Sequence, residues 1–137
     1  MGTPVENVID KFLKSIDDEI LALMEATLIE DLLLTYLEEA CADFEECKKE
    51  LRLVGGYFTE ELTSMEQMII AKAMIPHWLS PKIFREDNLK ILISDSDYNQ
   101  KSPANLLGQL KDLKKQAEYE VQIRKIKYSY SGMKEWF

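Results

Sequence analysis

The C-terminal segment, residues 102 to 137, constrains the fold most, because it joins a helix start to a long amphipathic pattern. Ser102 and Pro103 supply a capping hydroxyl and a preset φ, which favour a helix beginning there. Apolar residues then recur at spacings of three and four, which predicts one buried stripe on a helix of roughly 25 residues. The spacing runs through Leu106, Leu110, Leu113, Ala117, Val121 and Arg124.

An aromatic tail follows this stripe. Tyr, Trp and Phe side chains gathered in ten residues are rarely left in water, yet Gly132 is expected to break the helix that could bury them. The segment therefore predicts a docking peptide, which divides the chain into a helical domain, residues 1–127, and a C-terminal docking tail, residues 128–137. For the two tyrosines, packing within the chain is the alternative. The residues expected to dock on a partner are Tyr128, Tyr130, Met133, Trp136 and Phe137.

Two helices are predicted before the first clear loop. Thr3 and Pro4 form a start signal, with Thr3 as the N-cap and proline at the first helical position. A second, long helix is expected to begin between residues 18 and 27 and to end at Gly55 and Gly56. The glycines mark a loop, so the sequence predicts two helices and no strand in this part of the chain.

Two further helices are predicted in the middle of the chain. Thr63 and Glu66 form a capping box that starts the third helix, and Pro76 is expected to kink or shorten it. Ser80 and Pro81 repeat the start signal and predict a short fourth helix. The fold class is therefore all-α, a single compact bundle of about five helices with a long C-terminal helix and an aromatic C-terminal tail.

The charge is unevenly distributed along the chain. The 137 residues include 17 basic and 25 acidic side chains, a net charge of −8, which argues against a surface that binds nucleic acid or anionic membrane throughout. Residues 1–66 hold 5 basic and 17 acidic residues, whereas residues 101–137 hold 8 and 4. The two regions can attract each other within one chain or between neighbouring copies, and a solvated acidic face is the alternative. The basic residues expected at contacts between subunits are Lys111, Lys114, Lys115, Arg124 and Lys125.

The cysteines and the apolar segments suggest where the protein is made. Cys41 and Cys47 are expected on different faces of one helix, too far apart for a disulfide, and both should be free thiols. The N-terminus does not resemble a signal peptide, and no apolar stretch reaches the length of a membrane span. We therefore expect a protein that stays in a reducing cytoplasm or in a particle assembled there, without a membrane partner.

Motifs for catalysis or metal binding are absent or incomplete in the sequence. Asp95 and Asp97 open like a calcium loop, but Gln100 and Leu106 stand where that loop needs glycine and glutamate. His77 is the only histidine, which leaves no second imidazole for a zinc site, and packing or surface exposure is its expected role. Phosphate loops, dinucleotide fingerprints and nucleophile motifs do not occur. We expect no cofactor, no metal site and no enzymatic activity.

Three blocks of sequence, taken in order, resemble the small helical neck proteins of tailed bacteriophages, the head-tail connector or head-completion adaptor family. The similarity covers roughly residues 44 to 130. The chain departs from the family pattern at Pro76 and in its extension from Gly132 to Phe137, which runs past the usual end. The blocks are Phe44-x-x-Cys47-Lys-Lys49 with Leu62-Thr63-x-x-Glu66, then His77-Trp78-Leu79-Ser80-Pro81 with Glu86-Asp-Asn-Leu89, and finally Tyr98-x-x-x-Ser102-Pro103-Ala-Asn105-Leu106-Leu107 with Tyr128-Ser-Tyr130.

The resemblance implies a structural protein of the virion neck, between head and tail, assembled in the host cytoplasm. Such adaptors form a ring of identical subunits that joins the portal vertex to the tail and extends the DNA channel. The implied partners are the portal protein, the next neck or tail-terminator protein, other copies of the chain, and passing DNA that is not bound sequence-specifically. Two alternatives stay open: a soluble helical adaptor or regulator that binds a partner protein through a helix groove, and a nucleic-acid-binding protein that uses the final basic helix.

Overall fold

The computed structural model describes residues 2–16, 30–92 and 102–133, and within them the side chains of residues 2–16, 33–84 and 107–131. In this part of the chain, four helices accompany a two-stranded antiparallel sheet. The fold is thus mostly helical, as predicted, although the small sheet was not expected. The elements are α1 (Val5–Ser15), α2 (Glu30–Asp43), β1 (Leu53–Val54), β2 (Tyr57–Phe58), α3 (Ser64–Leu92) and α4 (Ser102–Met133).

The segment before α1 pairs with the hairpin instead of capping the helix. Pro4 is the N-cap of α1 and makes no side-chain cap bond, so the prediction that Thr3 caps the helix is wrong. The Thr3 hydroxyl instead accepts a bond of 2.8 Å from the Leu62 N–H, and its carbonyl accepts one of 2.8 Å from the Phe58 N–H. Thr3 is buried, and a buried hydroxyl needs a partner; the loop before α3 supplies one.

The second predicted helix ends earlier than expected. α2 stops at Asp43, and the glycines lie in a tight turn between β1 and β2. Gly55 and Gly56 have φ values of +58° and +83°, and positive φ at both central positions is the geometry of a type I′ hairpin turn. Cys47 therefore lies beyond the helix that carries Cys41, which corrects the expectation of one shared helix, whereas both cysteines are free, as predicted.

α3 begins where the capping box placed it and continues further than expected. The Thr63 N–H donates to Glu66 Oε1 over 2.8 Å, and the Glu66 N–H donates to Thr63 Oγ1 over 3.1 Å, which confirms the box. The helix continues through Pro76 and Pro81 to Leu92, so the prediction of a new helix start at Ser80 is wrong. The Ser80 hydroxyl donates instead to the Pro76 carbonyl at 2.7 Å, within the same helix. The expected fourth helix is thus the second half of α3.

α4 starts at the predicted residue and is longer than predicted. It begins at Ser102 and runs for 32 residues to Met133, because Gly132 does not end it. The helix therefore crosses the expected boundary between residues 127 and 128 without a break. The predicted stripe is buried at Leu110, Ala117 and Val121 and half-buried at Leu113, and it continues to Tyr128. The side chain of Leu106 lies outside those described.

α3 is the central helix of the fold. It contacts α1, α2 and α4, and the core lies along its length. Phe12 of α1 meets Trp78 of α3 edge to face, with ring centroids 5.9 Å apart. Among the described helices, none is long and apolar enough to cross a membrane. α3 thus holds the two short helices and α4 in one core, and this core positions the residues considered next.

Candidate functional site

A buried hydrogen-bond cluster joins α4 to α3 and to the segment after α2. Its centre is the Tyr128 hydroxyl, which donates to Glu66 Oε2 over 2.6 Å. The same hydroxyl accepts a bond of 2.9 Å from the Lys48 N–H. Tyr128 is only 4% exposed, so both bonds lie away from bulk water. We call Cys47, Lys48, Lys49, Glu66 and Tyr128 the Tyr128 cluster.

The Glu66 carboxylate is engaged on both of its oxygens. While Oε2 accepts from Tyr128, Oε1 accepts from the Thr63 N–H and pairs with Lys49 Nζ at 3.2 Å. Burial alone raises the pKa of this carboxyl, but the bonds from Tyr128, Thr63 and Lys49 outweigh burial and leave the pKa below its usual value. Glu66 is therefore ionised at neutral pH although it is 2% exposed.

The phenol of Tyr128 and the thiol of Cys47 are neutral at pH 7. Burial, with donation to Glu66, raises the pKa of Tyr128, and burial also raises the pKa of the Cys47 thiol. Cys47 Sγ lies 3.8 Å from Glu66 Oε2 and 4.0 Å from the Tyr128 hydroxyl. A protonated thiol and a protonated phenol beside a fully bonded carboxylate suit a fixed link between segments better than proton transfer.

The aromatic ring of Tyr128 is held as firmly as its hydroxyl. Phe44 packs edge to face against it with ring centroids 5.2 Å apart, and Lys48 Nζ stands 5.5 Å from the ring centroid. Phe44, Cys47 and Lys49 come from the first block of resemblance, Glu66 completes that block, and Tyr128 belongs to the last. Residues up to 84 positions apart in the sequence thus meet at one point in the fold.

A second polar link joins α2 to α3 at the middle block. His77 Nδ1 lies 2.7 Å from Glu39 Oε2, and His77 Nε2 approaches Asp43 Oδ2. Each carboxylate faces a different nitrogen of the ring, so the three groups do not converge on one cation. Among the described residues, no group of three or more histidine, cysteine or acidic side chains could hold a metal ion.

Lys125 and Arg124, both predicted at subunit contacts, have partners within the subunit. Lys125 is buried, donates to the Asp43 carbonyl over 2.7 Å and lies 3.5 Å from Glu46 Oε1, so its contacts are within the subunit. Arg124 pairs with Glu120, one turn earlier, at 3.1 Å. The long basic side chains of α4 therefore help to attach it to α2 and to stabilise the helix itself.

The other three predicted basic residues lie on different parts of α4. Lys111 and Lys115 are exposed, and Lys114 is half-buried. Lys114 also borders a groove of about 380 Å³ that contains His77 and Asp43. Of the predicted set, Lys111 and Lys115 are thus the residues with side chains on the solvent side of the fold.

The predicted docking residues differ in burial. Tyr128 is buried in the Tyr128 cluster, so within the subunit it follows the alternative of packing within the chain. Tyr130 is 62% exposed. Met133 is the last residue of α4, and its side chain is not among those described. Trp136 and Phe137 lie outside the described residues.

Tyr130 belongs to an apolar surface on α4 that the sequence reasoning did not identify. Tyr119 and Ile126 are 70% and 53% exposed on the same helix, on the side away from Tyr128. Between this surface and Glu46 lies a shallow groove of about 400 Å³, which Ile126 and Tyr130 border. The spacing of these residues is visible in the sequence, but the prediction of a helix break at Gly132 assigned Tyr130 to a tail and so separated it from Tyr119 and Ile126.

Comparison of the chain with protein-family models, with curated protein sequences and with solved structures yields no match.

Proposed function

We propose that this chain is a structural adaptor of the tailed-bacteriophage neck. In this role, identical subunits form a ring that joins the portal vertex to the tail and extends the DNA channel. The observation that carries the proposal is the convergence of two blocks of resemblance, one with Phe44, Cys47 and Glu66 and the other with Tyr128, on the Tyr128 cluster. Motif residues that hold one another in place suit a family defined by a shared fold and not by a catalytic centre.

The chemistry of the polar clusters supports a role without catalysis. The Glu66 carboxylate is fully bonded, and the Tyr128 and Cys47 groups are protonated at neutral pH. His77 is held between two carboxylates from α2. These groups stabilise the packing of helices, so the proposed adaptor acts through its surfaces.

The portal-binding end of the proposed adaptor is the end of α4 and the residues after it. Tyr130 presents an exposed ring there, and Met133, Trp136 and Phe137 follow in the sequence. Tyrosine and tryptophan are the side chains most often found at the energetic centre of protein interfaces. In the proposed assembly this end inserts into a cleft of the portal or of the neighbouring subunit.

The net charge of −8 suits a wall that lets DNA pass. An acidic surface repeated around a channel repels the phosphate backbone and does not hold it, so DNA slides through during ejection. The next neck protein or the tail terminator binds the opposite side of the ring. The protein assembles on the head in the host cytoplasm and remains in the virion.

The proposal is tested by docking on purified portal complexes. We expect the isolated chain to be monomeric or weakly associated and to form rings, visible by electron microscopy, when portal is added. A variant lacking residues 132–137 should keep its helical circular dichroism and bind portal more weakly. As a matched control, Phe84→Ser alters an aromatic side chain that is 68% exposed on α3 and should leave docking unchanged.

Three outcomes would count against the proposal. A stable dimer whose state does not change when portal is added, measured by light scattering, would favour the soluble adaptor that binds a partner helix. Portal docking that is unaffected by the loss of residues 132–137 would remove the assigned role of the C-terminal end. Binding to DNA at low salt, where electrostatic affinity is greatest, would favour the nucleic-acid alternative.

A further inference from the structure

The exposed side of α4 carries a second apolar stripe opposite the buried one. Tyr119, Ile123, Ile126 and Tyr130 follow one another at spacings of four, three and four residues, and Met133 continues the pattern in the sequence. This is the spacing of a helix that packs along another helix. We call Tyr119, Ile123, Ile126 and Tyr130 the outer stripe of α4.

The outer stripe is too apolar for an ordinary solvent face. Tyr119, Ile126 and Tyr130 are more than half exposed, and Ile123 is half-buried. Single exposed apolar residues are common on protein surfaces, but an aligned row over three turns is typical of an interface. Within the subunit, α4 already buries its opposite face against the core through Leu110, Val121 and other residues, so the outer stripe faces away from the fold.

The charges beside the outer stripe indicate an acidic partner. Lys115 and Lys127 are exposed at its edges, whereas Glu120 is engaged within the subunit by Lys72 at 3.4 Å and Arg124 at 3.1 Å. Glu118 is also exposed on this part of α4, so the exposed charge beside the stripe is a small positive excess. Pairing of two outer stripes with each other would bring like charges together, which costs free energy, whereas an acidic surface would attract them.

The exposed face of α2 has the complementary chemistry. Leu34, Glu38 and Ala42 follow one another at spacings of four on the side away from the buried Ala40, and the exposed Glu45 comes two residues after the helix. Arg52, which precedes β1, borders Glu38 and Ala42. Leu34 is 41% exposed, and Glu38, Ala42 and Glu45 are exposed as well. We call Leu34, Glu38, Ala42 and Glu45 the acidic face of α2. It offers apolar side chains between carboxylates, as the outer stripe offers apolar side chains between amines.

We propose that the outer stripe of α4 packs against the acidic face of α2 on a second copy of this chain. The contact is heterologous, because each subunit uses one surface for the neighbour on one side and the other surface for the next. Repeated contacts of this kind close into a ring when the rotation between subunits allows it. The inference rests on the proposed ring and names the contact that builds it.

A single contact of this kind is weak. Four side chains from three helical turns cover less than the roughly 800 Å² per partner that a stable complex normally buries. Association of the free chain is therefore expected only at high protein concentration and low salt, since screening reduces the attraction between exposed charges. A portal that holds neighbouring copies side by side raises their effective concentration and completes the ring.

The proposal is tested by mixing two variants of the full chain in sedimentation experiments. Ile126→Asp with Tyr130→Asp removes the outer stripe, and Glu38→Lys with Glu45→Lys reverses the charge of the acidic face. Each variant alone should associate about tenfold or more weakly than the unmodified chain. A mixture should form dimers that grow no further, because one variant keeps an intact outer stripe and the other an intact acidic face.

Controls separate this contact from misfolding and from portal docking. All variants should keep the circular dichroism of the unmodified chain, because the altered residues are exposed, and Phe84→Asp on α3 should associate normally. The proposal is overturned if the charge-reversed variant still self-associates, since two outer stripes then pair, or if the mixture stays monomeric. If the charge-reversed variant docks on the portal without forming rings, the contact between copies is supported and the neck function stands. If the unmodified chain does not dock on the portal, the neck function is contradicted and the contact between copies is not.

Discussion

Two tyrosines at the end of α4, two residues apart, have opposite surroundings. Tyr128 is 4% exposed and bonded to Glu66, whereas Tyr130 is 62% exposed. Residues of an α-helix are about 100° apart around the axis, so two positions turn a side chain from one face to the other. The comparison shows that similar aromatic residues close together in a sequence do not form one functional unit when a helix carries them.

The two faces of α4 also differ in what their residues contact. The inner face bonds to α3 and to the segment after α2 through Tyr128 and Lys125. The outer stripe has apolar side chains exposed and lysines at its edges. Substitutions on the inner face should therefore change the free energy of unfolding, and those on the outer stripe should change association.

The largest effect is expected for Tyr128→Ala. The substitution removes the ring packed on Phe44 and leaves Glu66 Oε2 and the Lys48 N–H without their buried partner. Truncation of a buried aromatic residue typically costs about 3–5 kcal/mol of unfolding free energy. Urea unfolding followed by circular dichroism measures this loss. Tyr128→Phe, which keeps the ring, should lose about 1–3 kcal/mol.

The converse outcome would reverse the comparison of the two faces. If Tyr128→Ala left the midpoint of urea unfolding unchanged, the Tyr128 cluster would contribute nothing to stability. Tyr128 would then return to the group of docking residues with Tyr130. The matched substitution Tyr130→Ala, on the opposite face, is the control for a general effect on the helix.

A smaller loss, of about 1.5–3 kcal/mol, is expected for Glu66→Gln, because the bonds to the carboxylate are charge-assisted. The pKa of Glu66 is below its usual value of 4.5 in the fold, so its ionisation stabilises the folded chain above about pH 4.5. This contribution is lost as the pH falls through the lowered pKa. Urea unfolding at a series of pH values should therefore show less acid destabilisation in Glu66→Gln than in the unmodified chain.

Equal acid destabilisation in both chains would show that other carboxylates, such as Glu120 with its lowered pKa, dominate the pH dependence. Glu38→Gln is the control, since Glu38 lies exposed on α2 and should leave the curve unchanged. A double-mutant cycle with Tyr128→Phe then measures how strongly the two groups of the Tyr128 cluster are coupled.

The smallest effect on stability is expected for Tyr130→Ser. Because the side chain is exposed, the free energy of unfolding should change by no more than about 0.5 kcal/mol. Self-association of the full chain, measured by sedimentation, should nevertheless weaken, because Tyr130 belongs to the outer stripe of α4. A large loss of stability would mean that Tyr130 packs within the fold, and the distinction between the two faces of α4 would be lost.

Local signals in the sequence predicted several elements correctly. Thr63 and Glu66 predicted the start of α3, and Ser102 predicted the start of α4, because capping depends on residues only three positions apart. The apolar stripe from Leu110 to Val121 was also predicted, since the 3.6-residue period is a property of the helix itself.

Other predictions failed where distant residues override a local preference. Thr3 has the chemistry of an N-cap, but the Leu62 N–H is its buried partner. Pro81 has the chemistry of a helix start, but α3 continues through it along the core. The pair Gly55 and Gly56 was interpreted as a helix end, although two glycines also form a type I′ hairpin turn.

The sequence by itself determined the helical character of this protein, its acidic and basic regions and the starts of α3 and α4, because each depends on composition or on neighbours within one or two turns. Only the tertiary structure decided that Tyr128 is a core residue and Tyr130 a surface one. The physical reason is that Glu66, 62 positions away, supplies the buried carboxylate to which the Tyr128 hydroxyl donates. A contact over that distance in the chain depends on how α4 packs against α3, which local periodicity does not specify.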